Sequence, residues 1–345
     1  MEDRRIDRRS FIKLSGLLGL GVVSAGIIPI TAEAVKFNRK MHKVSKTRLA
    51  MGTFVSMTLI HASRDEAEEV MGQAFEEMDR LSALMNRYDE RTAVGELNRE
   101  GYLNDIPPEV AEVVSRALHY YRLSQGSFDI TVKPIIDLFK EKTGENEKAL
   151  PTEKELIRAL EFVDSNNIEI KGRAITFKKP GMGITLDGIA KGYIVDRASE
   201  LLAAHHIKNH LINAGGDIRT MGARADKKPW TVAIQDPSKR RNYPDIVHMN
   251  SGAIATSGNY EIYFDREKMF HHIVDPKTGI SPEMSTSVSV IAPTAMDADA
   301  LATGVFVMEP VKGTGFINSL RQCESLFIAK DGTQLKSRGW KSGAR

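Results

Sequence analysis

A carboxylate and a hydroxyl lie four residues apart near the carboxyl end of the chain, in the run DADALATG. If this run is helical, the side chains of Asp299 and Thr303 project from one face toward the same point. Oxygen donors of this kind suit Mg²⁺, which takes few protein ligands and keeps positions open for phosphate oxygens. The spacing is also compatible with a helix-terminal aspartate and an unrelated buried threonine.

A second candidate site is the glycine-bearing turn in the run TLDGIAKGYIVD. Free N–H groups at the start of a helix, together with the helix dipole, can face a phosphate. Lys191 adds a positive charge at this position. The same run also fits an ordinary strand-to-helix turn with a surface lysine.

Two adjacent histidines, His271 and His272, precede Asp275. The aspartate could orient a histidine that takes a proton from an attacking hydroxyl, because histidine titrates near neutral pH. A metal site of two histidines and one aspartate is an alternative, and so is a surface pair without a function.

The elements that must position these residues follow from hydrophobic periodicity. Apolar residues recurring every three or four positions predict helices at 65–85, from about 108 to 124, and from about 188 to 205. Short runs bounded by turn-forming residues predict strands at 53–60, 210–213, 230–234 and 286–291. This mixture indicates the α+β class. His205, His206 and His210 lie between the third helix and the next strand, and we expect them to face solvent.

The amino terminus has the order of parts found in an export signal. The run RRSFIK at 8–13 fits a twin-arginine address, an uncharged stretch covers 14–32, and the sequence A-E-A follows at 32–34. We therefore expect a signal peptide over 1–34, a mature domain over 35–345 and a periplasmic location. An uncleaved membrane anchor is the alternative, because the uncharged stretch is close to the length that spans a bilayer.

Composition limits the remaining classes. The formal net charge of +3 is near balance for 345 residues, which argues against electrostatic capture of nucleic acid. The single cysteine, Cys323, cannot form an internal disulfide. No linker rich in proline, glycine and serine divides the mature chain, so we expect one domain.

Five segments occur in an order that resembles the ApbE family of FAD:protein FMN transferases. They are MGT, SQGSFDITVKP, TLDGIAKGYIVD, NAGGDI and the pair formed by HHIVDPKTG and DADALATG. The resemblance runs from Met51 to about Met308. It implies an ApbE-like, T-fold-like single domain of two packed lobes, with mixed strands and long helices.

The resemblance also implies roles for individual residues. Mg²⁺ would bind to Asp299, Thr303 and the main-chain carbonyl of Gly188, and catalysis would depend on His272, Lys191 and Asp299. The residues implied in FAD binding are Met51, Ser127, Phe128, Asp129, Thr185, Asp187, Lys191 and Ile273. Many members carry an aspartate six residues before the lysine. Here Thr185 takes that position and Asp187 follows two residues later, so either could contact FAD.

The implied reaction moves FMN from FAD, the substrate, to a Thr or Ser hydroxyl of an acceptor protein and releases AMP, with His272 activating the hydroxyl. The expected partner is an exported or membrane redox subunit that carries a flavinylation motif, and no nucleic acid is involved. If water replaced the acceptor hydroxyl, the same site would act as an FAD pyrophosphatase. A non-catalytic FAD-binding assembly factor for an exported redox complex is the alternative from another class.

Overall fold

The computed structural model describes residues 41–143, 150–237, 243–259, 271 and 273–343. The predicted signal at 1–34 lies outside these ranges. The strands are β1 His42–Ala50, β2 Thr53–His61, β3 Tyr102–Leu103, β4 Ile168–Lys171, β5 Ala174–Phe177, β6 His210–Ala214, β7 Asp217–Met221, β8 Trp230–Ala233, β9 Ile246–Met249, β10 Gly252–Gly258, β11 Ser285–Ala292, β12 Glu324–Ala329 and β13 Gln334–Lys336. The α-helices are α1 Arg64–Met85, α2 Ala93–Glu100, α3 Pro108–Leu123, α4 Lys133–Lys142, α5 Glu153–Leu160, α6 Ala190–Ala204, α7 Ala295–Val307 and α8 Pro310–Ser319.

An eight-stranded sheet in the order β1-β2-β6-β7-β10-β11-β12-β13 forms the centre of the fold. Its described strand pairs are antiparallel. Strand β2 pairs with β6, so that Val55 faces Ala214 across the sheet. The chain between these two strands contains α1 to α6 and a small sheet in the order β3-β5-β4. The α+β prediction is confirmed.

The three predicted helices are present as α1, α3 and α6, with local signals at their ends. The Ser63 hydroxyl accepts the N–H of Glu66 at the start of α1, which satisfies one of the free donors there. Pro108 opens α3, where its missing N–H has no consequence. The predicted strands correspond to β2, β6, β8 and β11. The other nine strands of the described ranges, including the edge strand β1, were not predicted.

Helices α1, α6 and α7 pack on one face of the large sheet and bury the main core. Helices α6 and α7 approach so closely that their backbones are in contact. A Cβ atom added at Gly192 in α6 would lie 2.3 Å from the carbonyl oxygen of Ala295 in α7. Glycine is therefore required for this approach, which fixes α6 against α7.

The opposite face of the sheet is covered in part by the β8–β9 hairpin. Val232 and Val247 from this hairpin pack with Ile218 of β7, Ile254 of β10 and the nearby Trp340. Within the described ranges, this hairpin packs over β7, β10 and β12. The same face of β1 and β2 is more exposed to solvent than those three strands.

The prediction for the histidines at the end of α6 is wrong at one position. His205 and His206 are exposed, but His210 is fully buried. Its Nδ1–H donates to the Ile207 carbonyl at 2.8 Å and its Nε2 accepts the Ser199 hydroxyl at 2.7 Å. With both ring nitrogens bonded, burial of the neutral ring is tolerated. Burial lowers the pKa of His210 to about 4. Separately, none of the helices in the described ranges is long and apolar enough to cross a bilayer.

Candidate active site

The predicted site residues within the described ranges converge on one cleft. Its volume is about 1220 Å³, and it opens where β6 and β10 end beside α6 and α7. The predicted residues that line it are Met51, Ser127, Phe128, Asp129, Thr185, Asp187, Gly188, Lys191, Ile273, Asp299 and Thr303. His272 lies outside the described residues, so its predicted role stays a prediction.

Met51 and Gly52 form the two-residue turn between β1 and β2 at the cleft. Both have positive φ angles, 52° and 70°, which fit the tight turns that match the twist of a hairpin. A methionine with positive φ is unusual and carries backbone strain. Strained positions of this kind are concentrated at functional sites, which supports the predicted contact between Met51 and a ligand.

The turn that follows α3 brings Ser127, Phe128 and Asp129 to the cleft. Phe128 packs beneath α7, where a Cβ atom at Gly304 would lie 3.1 Å from the Phe128 Cβ. The Asp129 carboxylate accepts the N–H of Thr131 at 2.8 Å and the Ser165 hydroxyl at 2.6 Å. Asp129 therefore anchors this turn internally as well as bordering the cleft.

Thr185 and Asp187 lie at different depths on the turn before α6. Thr185 is buried, and its hydroxyl accepts the N–H of Asp187 at 3.3 Å. The Asp187 side chain is 56% exposed and pairs with the Nε of Arg87 at 3.2 Å. Both residues border the cleft, so either can reach a ligand.

The three residues predicted to bind Mg²⁺ meet between α6 and α7. Asp299 and Thr303 occupy one face of α7, as their spacing predicts. A Cβ atom on Gly188 would lie 3.0 Å from Thr303 Oγ1, so the Gly188 main chain and the Thr303 hydroxyl are neighbours. Ser257 Oγ is 3.4 Å from Thr303 Oγ1. Carboxylate, hydroxyl and carbonyl oxygens form a donor set that fits Mg²⁺.

A second buried carboxylate sets the electrostatics of this region. Lys191 Nζ lies 2.9 Å from Asp217 Oδ2, and the Asp299 Oδ2 accepts the N–H of Gly192 at 3.1 Å. Burial, and then the negative charge of Asp217, raise the pKa of Asp299 well above its usual range. When Asp299 and Asp217 are both ionised, Lys191 balances only one of the two negative charges. A divalent cation would balance the remaining negative charge, so these residues fit a Mg²⁺ ion.

His271 points into the protein. Its Nδ1 accepts the N–H of Ile273 at 3.3 Å, and its Nε2–H donates to the Pro282 carbonyl at 3.2 Å. The ring also packs edge-on against Phe306. Because both ring nitrogens are bonded internally, a metal site that includes His271 is not favoured.

Arg87 and Tyr88 line the cleft but were not predicted from the sequence, and Asp217, beside Lys191, was recognised only as part of the NAGGDI segment. Asp217 follows two glycines in NAGGDI, and its pairing with Lys191 depends on the fold. The Arg87 side chain is only 3% exposed and pairs with Asp187 and with Asp137 at 3.3 Å. Tyr88 stacks against the Arg87 guanidinium, 4.5 Å from it, at the cleft border. No periodicity marks Arg87 or Asp217, since each pairs with a residue distant in sequence, and Tyr88 is placed at the cleft through its neighbour Arg87.

The cleft combines a buried carboxylate, a hydroxyl, a lysine and a glycine-bearing helix start, which are groups that proteins use to bind phosphate oxygens and divalent metals. The profile of the ApbE family matches residues 51–327. The chain belongs to the ApbE family.

Named relatives and solved structures agree with this assignment. The chain is 31% identical to the FAD:protein FMN transferase of Haemophilus influenzae, over 66% of this chain and 69% of the relative. It is 28% identical to one from Klebsiella pneumoniae, over 94% of both chains. The ApbE protein of Thermotoga maritima superposes with a TM-score of 0.79 and 28% identity, covering 86% of this chain and 97% of that one. For the flavin transferase ApbE of Vibrio cholerae, the TM-score is 0.74 at 26% identity, covering 86% and 98%.

Proposed function

We propose that this chain is a magnesium-dependent FAD:protein FMN transferase that modifies a Thr or Ser hydroxyl of an exported acceptor protein. The observation that carries the proposal is the meeting of Asp299, Thr303 and Gly188 with Lys191 in one cleft. The relatives named FAD:protein FMN transferase support the reaction type.

In the proposed reaction, the acceptor oxygen forms a bond to the phosphorus on the FMN side of FAD. The bond from that phosphorus to the bridging oxygen breaks, and AMP leaves with the bridging oxygen. Mg²⁺, held by Asp299, Thr303 and the Gly188 carbonyl, would supply positive charge opposite the phosphate oxygens. The hydroxyl proton would pass to His272.

Lys191 and Asp217 would order the phosphate side of the cleft. The Lys191 ammonium, held beside Asp217, places a fixed positive charge near the start of α6. The dipole of that helix, whose positive end faces the cleft, adds to the same field. Apolar walls from Met51, Phe128 and Ile273 would contact the flavin.

The test is a transfer assay with FAD, Mg²⁺, the purified chain and a flavin-acceptor domain, read by in-gel flavin fluorescence and by the FMN mass increment. Asp299→Asn is expected to lower transfer by roughly 100-fold or more, because a metal ligand is weakened. Asp297→Asn is the matched control. Asp297 is buried in the same helix but accepts hydrogen bonds from Tyr120 at 2.6 Å and Arg116 at 2.8 Å, away from the cleft.

The outcomes separate the alternatives. Acceptor labelling that depends on Mg²⁺ and on Asp299 supports the transferase. Release of FMN and AMP with no labelled acceptor would instead identify a pyrophosphatase, and tight FAD binding without turnover would identify an assembly factor.

We propose further that the chain is exported through its twin-arginine signal and acts in the periplasm. The support is the run RRSFIK at 8–13 and the uncharged stretch that follows it. Replacing Arg8 and Arg9 with lysine should retain the full-length chain in the cytoplasmic fraction. Unchanged export of this variant would refute the proposal.

A further inference from the structure

The outer face of the β1–β2 hairpin points away from the helices and has an unusual composition. Val55 and Met57 alternate toward the core, so their neighbours in β2 face outward. We define the outer hairpin face by three cross-strand pairs: Leu49 with Phe54, Thr47 with Ser56, and Ser45 with Thr58. It combines one apolar pair at the tip of the hairpin with two rows of hydroxyl side chains.

The apolar pair is exposed. Leu49 is 67% exposed and Phe54 is 38% exposed, although they lie directly opposite each other. Single exposed apolar residues are common, but an adjacent exposed pair at the border of a cleft is a feature of interaction surfaces. Its position next to the Met51-Gly52 turn places it at the entrance of the candidate active site.

The outer hairpin face is continuous with the candidate metal site. Thr47, Phe54, Ser56 and Thr58 line the same cleft as Asp299 and its neighbours. The β8 residues Trp230 and Thr231 line this part of the cleft as well. The connection passes the β6–β7 turn, where a Cβ atom on Gly216 would meet no heavy atom within 4 Å.

This part of the cleft lies on the opposite face of the sheet from Phe128 and Asp129, two of the residues implied in flavin binding. Phe128 packs beneath α7, and Asp129 is bonded to Ser165, both on the helical side. A transferase must admit a second, polypeptide substrate while FAD is bound. The outer hairpin face provides a separate path to the same reacting centre.

We propose that the outer hairpin face binds the segment of the acceptor protein that carries the reacting Ser or Thr, in an extended conformation. This inference rests on the proposed transferase function. Each hydroxyl of Thr47 and Ser56 can both donate to and accept from the main chain of such a segment. The Leu49 and Phe54 pair would contact an apolar side chain close to the reacting residue.

The first test compares Leu49→Glu with Val311→Glu. Val311, on α8, is also 67% exposed and lies outside the cleft lining, so the two changes place the same charge at equally accessible apolar positions. The acceptor is the domain that the wild-type chain labels. We expect the KM for that domain to rise at least tenfold in Leu49→Glu and to stay within twofold in Val311→Glu. The Kd for FAD should stay within twofold in both variants.

A second test blocks the face chemically. Thr47 and Lys46 are adjacent exposed residues of β1 whose side chains alternate to opposite faces of the sheet. The chain's natural cysteine, Cys323, is buried, so a maleimide of moderate size would label Thr47→Cys or Lys46→Cys selectively. Labelling Thr47→Cys should reduce acceptor modification at least tenfold, whereas labelling Lys46→Cys should not.

The two proposals fail in different ways. A wild-type chain that modifies no acceptor would refute the transferase function, and the docking surface with it. Normal modification together with an unchanged KM in Leu49→Glu would refute the docking surface alone. A raised Kd for FAD in Leu49→Glu would reassign the face to the donor substrate and also overturn the inference.

Discussion

Substituting Gly192 with alanine tests the close packing of α6 on α7. The added Cβ would lie 2.3 Å from the Ala295 carbonyl oxygen and 2.7 Å from the Met296 Cα. Ordinary contact between such atoms needs roughly 3.5 Å, so the helices must separate by roughly 1 Å. Neither obstacle is the end of a flexible side chain. We therefore expect a loss of about 3 kcal/mol in the free energy of unfolding, at the upper end for overpacking.

The same shift would disturb the active site. Gly192 donates its N–H to Asp299, and Lys191 precedes it in the helix. Separation of α6 from α7 should therefore weaken metal binding and lower the rate of FMN transfer in addition to reducing stability. Urea denaturation followed by circular dichroism measures the first effect, and a Mg²⁺ titration of the transfer rate measures the second.

Gly72 provides the matched control. It also lies inside a helix, α1, but a Cβ atom there would meet nothing within 4 Å. Gly72→Ala should raise the free energy of unfolding by about 0.5–1 kcal/mol, because alanine loses less backbone entropy in a helix. If Gly192→Ala is as stable as the wild-type chain, the backbone contact between α6 and α7 is not as close as described.

Three further predictions concern other parts of the molecule. Between pH 6.5 and 4, the free energy of unfolding of the wild-type chain should fall by up to about 3 kcal/mol relative to that of His210→Gln. The reason is that the histidine takes up a proton in the unfolded state, whereas the buried ring, with a pKa of about 4, does not. Parallel pH slopes in urea titrations of both chains would contradict this. Asp217→Asn removes the negative charge beside Lys191. We expect this variant to bind Mg²⁺ roughly 10-fold or more weakly in an isothermal titration. An unaltered Mg²⁺ affinity would show that the role of Asp217 is purely structural. In the wild-type chain, the buried Trp340 N–H donates to the Asp245 carboxylate at 2.8 Å. Asp245→Ala removes this acceptor, so the free energy of unfolding should fall by about 2–3 kcal/mol while the affinity for FAD stays unchanged. A loss of FAD affinity would link this distant cluster to the cleft.

The parts of the fold that sequence alone predicted are those governed by local rules. Helix α1 follows from one apolar face with a serine cap, and α3 follows from its initial prolines. Strand β1 escaped prediction because only Val44 and Ala50 are buried in it, so an edge strand with exposed lysines lacks a clear alternation.

The candidate site likewise contains residues that follow from local sequence rules and residues that depend on long-range packing. The pairing of Asp299 with Thr303 follows from helical spacing, so it could be predicted before the fold was known. The approach of Asp217 to Lys191 depends on how β7 packs against α6, which no local pattern encodes. The position of His210 between a helix end and a strand predicted exposure, but Ser199 from the preceding helix bonds to its ring and allows burial.

The pairing of β2 with β6 has a consequence for how the chain reaches its native state. The hairpin of β1 and β2 is complete early in synthesis, yet its central neighbour begins only at His210, after all of α1 to α6 has been made. Long-range strand pairing of this kind slows folding, because a large loop must close before the contacts that reward it can form. The β2 edge therefore stays unpaired on the ribosome for most of translation, and α7, which carries Asp299, emerges later still. We expect the nascent chain to depend on chaperones that shield this strand, and to become able to bind its ligands only once it is nearly complete.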